Sequence, residues 1–205
     1  YIRGIMRKSI LQAIEDGIRA IEFLKHPQSL AFIEEATVSI AECFRQGKKL
    51  LIAGNGGSMC DALHFAEELT AQFRGPRPAL PAIALSEQGF LTAVGNDMGF
   101  ERVFSRGVEA LGQPGDIFIA LTTSGNSANL IRAVQMSKEK GLKTISFLGK
   151  TGGALQGQSD LEWIVPGFTY SDRIQEAHMT AIHIIIEQVE GLLFAPKETL
   201  AHAAL

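Results

Sequence analysis

Cysteine is scarce. The 205-residue chain has two, Cys43 and Cys60, with no CxxC pair, which excludes a disulfide framework and a zinc knuckle and fits a reducing cytoplasm. Cys43 falls on an apolar helical face and reads as core. Long hydrophobic runs are absent too. No stretch of about 18 apolar residues occurs and the visible start carries no signal-peptide pattern, so neither a membrane span nor a membrane partner is expected. Excess positive charge is also missing: a net charge of −3 offers no field for nucleic acid. Nucleotide signatures fail in detail. Starting from Gly54, the third glycine of a G-x-G-x-x-G fingerprint would fall at Met59, and no Gly-Lys-Ser/Thr follows a glycine turn. There is no internal repeat, low-complexity segment or linker.

What is present is a soluble, globular composition, 46% apolar and 20% charged, at a length that suits one domain over residues 1–205. Strands and helices alternate through the middle. Short apolar runs predict strands at Leu50–Ala53, Ala82–Leu85, Asp116–Leu121, Lys143–Leu148 and Leu161–Val165. Helical spacing predicts helices from about Ser58, over Phe100–Leu111 and Ala128–Lys140, and over Ser171–Phe194. A short helical or turn segment, Leu91–Asp97, ends in polar residues that could face a ligand. The pattern is α/β, a parallel sheet covered on both faces.

Two further helices come first, at about Ile5–Leu24 and Ser29–Gln46. His26-Pro27 separates them and Gly47 closes the second. In the second, Leu30, Ile33, Val38, Ile40, Ala41 and Phe44 are expected to face inward. Two apolar helices are more than a doubly wound sheet needs, and such helices at a terminus are material for a subunit interface. The domain therefore divides into N-terminal helices (about 5–46), an α/β core (about 49–194) and a tail (195–205).

The rest is organised around LLIAGNGGSMCDALHFAEEL, Leu50 to Leu69. A buried strand, a glycine turn and a helix form an anion site, because the helix N-terminus carries unpaired N–H donors and partial positive charge. Further along that helix, His64 and Glu68 stand at i and i+4 on one face. Such a pair is a metal site, an acid–base pair or a plain surface contact. A second loop, Thr122 to Ser127, places four hydroxyls between a strand end and a helix start, where open α/β sheets bind ligands. Hydroxyls and amides without lysine or arginine suit a phosphate monoester; the alternative is ordinary helix capping. On the last helix His183 interrupts the apolar run Ala181–Ile186, where a polar ring needs a partner. Gln175 and His183 lie eight residues apart, about 12 Å of rise. Spacing alone does not choose between His178 and His183.

AGNGGS, DALHFAEEL, AVGNDMGF, TTSGNSAN and DRIQEAHMTAIHI, in that order over about residues 5 to 195, together resemble the phosphoheptose isomerase family of SIS (sugar isomerase) domains. The resemblance implies a single flavodoxin-like SIS domain with a five-stranded parallel sheet, assembled as a homotetramer. It implies conversion of sedoheptulose 7-phosphate to glycero-manno-heptose 7-phosphate, the first step towards ADP-heptose for lipopolysaccharide core. By the same resemblance His64, Glu68, Gln175 and His183 are zinc-site positions, one Zn²⁺ per subunit. Asn55, Gly56, Gly57, Ser58, Asn96, Asp97, Thr122, Thr123, Ser124 and Ser127 surround substrate, with Glu68 and Gln175 also touching it. Position 122, commonly serine in the family, is threonine here and keeps the hydroxyl. Met59 and Tyr170–Ser171 are expected beside the site, at positions free to vary without consequence, and the tail has no counterpart. Enediol chemistry needs a base and an acid; Glu68 is assigned as base and His183 as acid, with Asp172 orienting one of them. The competing readings are a SIS-fold isomerase of another sugar phosphate, and a non-catalytic SIS regulator or scaffold such as a replication-initiation partner. Retention of both Glu68 and His183 favours the enzyme.

Overall fold

The structure, a computed structural model, describes residues 2–194; the expected tail lies outside them. Helices α1 (Ile2–Glu22) and α2 (Pro27–Arg45) precede the alternating unit β1 (Leu50–Gly54), α3 (Gly57–Thr70), β2 (Ala82–Ala84), α4 (Gln88–Met98), α5 (Val103–Leu111), β3 (Ile117–Leu121), α6 (Ala128–Glu139), β4 (Lys143–Gly149), β5 (Leu161–Val165) and α7 (Ser171–Phe194). The five strands are all parallel in the order β2-β1-β3-β4-β5. This is the flavodoxin-like order, with its switch point between β1 and β3.

Alternating side chains divide the sheet between two cores. Leu50, Ile52, Ile117, Ile119 and Leu121 face α2, α3 and α7. Leu51, Ala53, Phe118 and Ala120 face α5 and α6. β1 and β3 are buried along their whole length, which is why they read as continuous apolar runs.

Local signals set most element ends. The His26 ring nitrogen accepts from the Gln28 N–H and Pro27 sits at the first helical position, so this dipeptide starts α2 as well as ending the preceding turn. Gly47, at φ 68°, ends α2 with a paired motif: its N–H donates to the Phe44 carbonyl and the Lys48 N–H to that of Cys43.

Several expectations differ in detail. Asp116 lies before β3, where its carboxylate accepts from the N–H groups of Lys49 and Gln113 and pairs with Lys49 Nζ at 2.6 Å. Residues Phe100–Arg102 form a 3-10 turn ahead of α5. Leu30 and Val38, expected inward, are 49% and 59% exposed. The buried stripe of α2 runs through Phe32, Ile33, Ala36, Ile40, Ala41 and Cys43, at spacings of three and four residues, and leaves Leu30 and Val38 outside it. Leu63 is likewise exposed. On α1 only Gly17 and Ala20 are buried, against α7, while Ile10, Leu11, Ile14, Ile18 and Ile21 are uncovered in the single chain. Among the described residues no helix is long and apolar enough to cross a membrane.

Candidate active site

The loops after β1 and β3 form the two walls of a cleft of about 150 Å³. Asn55 and Ser58 contribute from the first wall, Thr122, Thr123, Ser124 and Ser127 from the second. Ser171 and Gln175 close it from the start of α7. Glycine is required at particular points. Gly56 has φ 55° at the N-cap of α3, a conformation that side chains disfavour. A Cβ on Gly57 would lie 2.7 Å from the Gln175 amide, so the missing side chain makes room for that amide. Gly125 has φ 66°, and a Cβ there would sit 1.8 Å from the Gly152 carbonyl oxygen. The hydroxyl loop is thus pressed onto the loop after β4. It is pinned there by Ala154 N–H donating to Asn126 Oδ1 at 2.9 Å and Leu155 N–H donating to the Gly125 carbonyl.

The hydroxyls have unequal duties. Thr122 Oγ1 accepts from the Gly125 N–H and Ser124 Oγ from the Asn126 N–H, both at 3.2 Å. Thr123 and Ser171 share a hydrogen bond of 2.9 Å. Ser127 is the N-cap of α6 yet its side chain makes no capping hydrogen bond, so simple capping does not account for it. The cleft holds no charged side chain. It can bind an anion through neutral donors and the α6 N-terminus.

Farther along α3, three titratable side chains converge on the facing helix α7. His64 Nε2 lies 3.1 Å from Glu68 Oε1 and 3.5 Å from His183 Nε2. One donor atom from each residue falls within 4.8 Å of the others, and all three groups are half-buried. Burial, and next the neighbouring His64, hold the His183 imidazolium below its usual range, against the opposing pull of Glu68. Phe73 stacks on the His183 ring at 5.7 Å and 24°. Asp61, one turn before His64, is pushed up to about 6 by burial.

Two arginines brace this helix pair. Arg77 donates to the carbonyls of Glu68 and Leu69 at the end of α3 and to Glu190 of α7 at 2.6 Å; Arg74 pairs with Glu187. His183, Glu187 and Glu190 are spaced at i, i+4 and i+7, so one stripe of α7 makes all three contacts.

Two imidazole nitrogens aimed at each other beside a carboxylate oxygen form a donor set suited to a divalent transition metal. This cluster contains His183 and not His178. His178 is fully buried, with Nε2 3.0 Å from the Leu148 carbonyl, and burial lowers its pKa to about 4. Gln175 is directed at the cradle: its amide lies against Gly57 and is 3.5 Å from Ser58 Oγ. α7 is unbroken, so the residue stays about 12 Å along the axis from His183.

Other expected site residues stand apart within the single chain. Asn96 and Asp97 are exposed near the end of α4, bonded to each other at 2.7 Å, and do not line the cleft. Asp172 pairs with Arg173 at 3.3 Å. It stands eleven residues before His183, about 16 Å of helix, so within one chain it cannot orient the Glu68–His183 pair. Ser171, expected beside the site, lines the cleft wall. Phe73 was missed by sequence reasoning, since its stacking depends on how a loop returns over α7. A larger groove between α5 and α6, about 340 Å³, mixes Arg102, Arg106 and Arg132 with Glu109 and Glu139 and carries none of the sequence-selected residues.

The SIS domain profile matches residues 16–149. The chain is 53% identical over 173 residues to a phosphoheptose isomerase of Fusobacterium nucleatum, covering 84% of this chain and 89% of that protein. It is 51% identical over 188 residues to one from Escherichia fergusonii, covering 92% and 96%. The chain belongs to the SIS domain family, in its phosphoheptose isomerase branch. A solved phosphoheptose isomerase of Francisella tularensis superposes on this SIS domain with a TM-score of 0.85 at 35% identity, over 90% of this chain and 97% of the other. That of Neisseria gonorrhoeae gives 0.80 at 33%, over 93% and 100%.

Proposed function

We propose that this protein is an aldose–ketose isomerase converting D-sedoheptulose 7-phosphate to D-glycero-D-manno-heptose 7-phosphate through an enediol, in the cytoplasm and as a homotetramer. The observation that carries the reading is the convergence of His64, Glu68 and His183 within 4.8 Å, beyond a cradle of neutral donors, in a chain half identical to phosphoheptose isomerases. The sugar's phosphate end takes the cradle, where hydroxyls, backbone N–H groups and the α6 N-terminus share its charge. Its C1 and C2 then reach towards α3 and α7.

In the ketose-to-aldose direction Glu68 removes a proton from C1 and returns it to C2. His183 gives a proton to O2 and takes one from O1, leaving its own protonation unchanged over the cycle. Bracing by Arg77, Arg74 and Phe73 holds the two groups in a fixed geometry, which lowers the barrier by orientation. The donor set of His64, Glu68 and His183 fits Zn²⁺; Gln175, the fourth zinc position by family resemblance, is directed at the cradle within the single chain. The ion would supply Lewis-acid polarisation of the C1 and C2 oxygens, and a Glu68 held on it would have to leave it to act as base.

The test is to incubate the purified protein with sedoheptulose 7-phosphate and follow the sugar by NMR, with and without a chelator. Formation of an aldose heptose phosphate, lost on chelation and restored by zinc, is the expected result. No conversion with zinc present overturns the reading and moves attention to another sugar phosphate.

A further inference from the structure

We infer that Asn129, a residue outside the cleft lining, sets the geometry of the substrate cradle by holding Asn55. The two side chains form a closed amide pair: Asn55 Nδ2 donates to Asn129 Oδ1 at 3.0 Å and Asn129 Nδ2 to Asn55 Oδ1 at 2.9 Å. Seventy-four residues separate them in sequence. Asn55 is in the turn after β1 and lines the cleft; Asn129 is in the first turn of α6 and is 3% exposed. Among the described residues no other side-chain hydrogen bond joins the two walls.

The pair has two physical consequences. The amide torsion of asparagine is broad and roughly two-fold, so an unpaired Asn55 would sample orientations that the pair forbids. Each amide spends one N–H and one lone pair on its partner, which leaves the second N–H of Asn55 for a ligand. Both walls begin on neighbouring strands, and the pair fixes their separation beyond the strand ends, where the ladder no longer does. Asn129 is therefore a positioning residue, acting through Asn55.

This inference rests on the isomerase reading for its substrate. Asn129→Asp is the sharpest variant. An ionised carboxylate cannot donate to Asn55 Oδ1 and meets it oxygen to oxygen; a protonated carboxyl restores the donor. The KM for sedoheptulose 7-phosphate should rise about tenfold at pH 8 with kcat within about threefold. The variant-to-wild-type KM ratio should fall back towards one as pH is lowered through the carboxyl's titration. Using the ratio removes the substrate's own phosphate titration. A reduced kcat with unchanged KM, or a ratio indifferent to pH, overturns the proposal.

A cycle with Asn55→Ala and Asn129→Ala gives a second reading, and decides alone should Asn129→Asp fail to fold. Action through Asn55 requires the double variant to have a KM no higher than Asn55→Ala alone. Multiplying effects overturn it. If the wild type does not turn over the heptulose phosphate, the isomerase reading fails, and the same cycle read calorimetrically with inorganic phosphate still tests Asn129.

Discussion

The cradle and the histidine cluster are built on opposite principles. The cradle, at the ends of β1 and β3, uses backbone N–H groups, hydroxyls and amides, and not one charged side chain. The cluster between α3 and α7 consists of titratable groups alone. Backbone shape makes the first: three glycines stand where a Cβ would collide or the φ is positive. Side chains on two packed helices make the second, held by an arginine brace. On the proposed reading the contrast separates affinity from chemistry, and damage to each should leave a different kinetic mark.

The largest effect should come from the cluster. Glu68→Gln keeps the shape and removes the base, so kcat should fall about 10³-fold, roughly 4 kcal/mol, with KM within about threefold. Near-normal turnover would remove Glu68 from its role and erase the contrast. Next is Gly125→Ala. With φ 66° and a backbone oxygen 1.8 Å from the new methyl, urea denaturation should show a loss of about 3 kcal/mol, since no flexible side chain is there to yield.

The two α7 histidines sharpen the comparison through pH. The folded pKa of His178 is about 4 against 6.5, so the unfolded chain binds the extra proton between those values and stability rises with pH across that window. The contribution approaches about 3 kcal/mol. Asp61, raised to about 6 from 3.8, acts with the opposite sign: the folded state holds the proton, and stability falls as pH rises from about 4 to 6. Its partial exposure reduces the size of that effect. Denaturation at several pH values should therefore give a blunted rise in the wild type, a steeper one in Asp61→Asn, and a reversed slope in His178→Phe. The smallest effect belongs to the cradle. Ser124→Ala should raise KM about tenfold with kcat nearly intact; a kcat loss without a KM change would show that the loop does more than bind.

The parts legible in the sequence were those fixed locally. The apolar runs gave the five strands to within a residue. Pro27 and Gly47 marked helix ends because φ preference acts on single residues. The glycine turn and the hydroxyl loop were visible because each is contiguous in the sequence. Illegible were the features set by packing. Leu30 and Val38 are as apolar as their buried neighbours, and only the line along which α2 meets the sheet separates them. His178 and His183 are five residues apart and differ in what lies opposite: the Leu148 carbonyl for one, His64 for the other. The Asn55–Asn129 pair depends on two loops meeting across a switch point, a contact that no spacing announces.

The unbroken course of α7 has a consequence for discrimination by size. Twenty-four residues without a kink make a strut whose length the ligand cannot change. Gln175, against the cradle, and His183, in the histidine cluster, stay about 12 Å apart along its axis. A ligand engaging both must be long enough to bridge them. On the proposed reading, a sugar shortened by one or two carbons would leave either its phosphate or its carbonyl out of register, and the strut would measure the substrate by length.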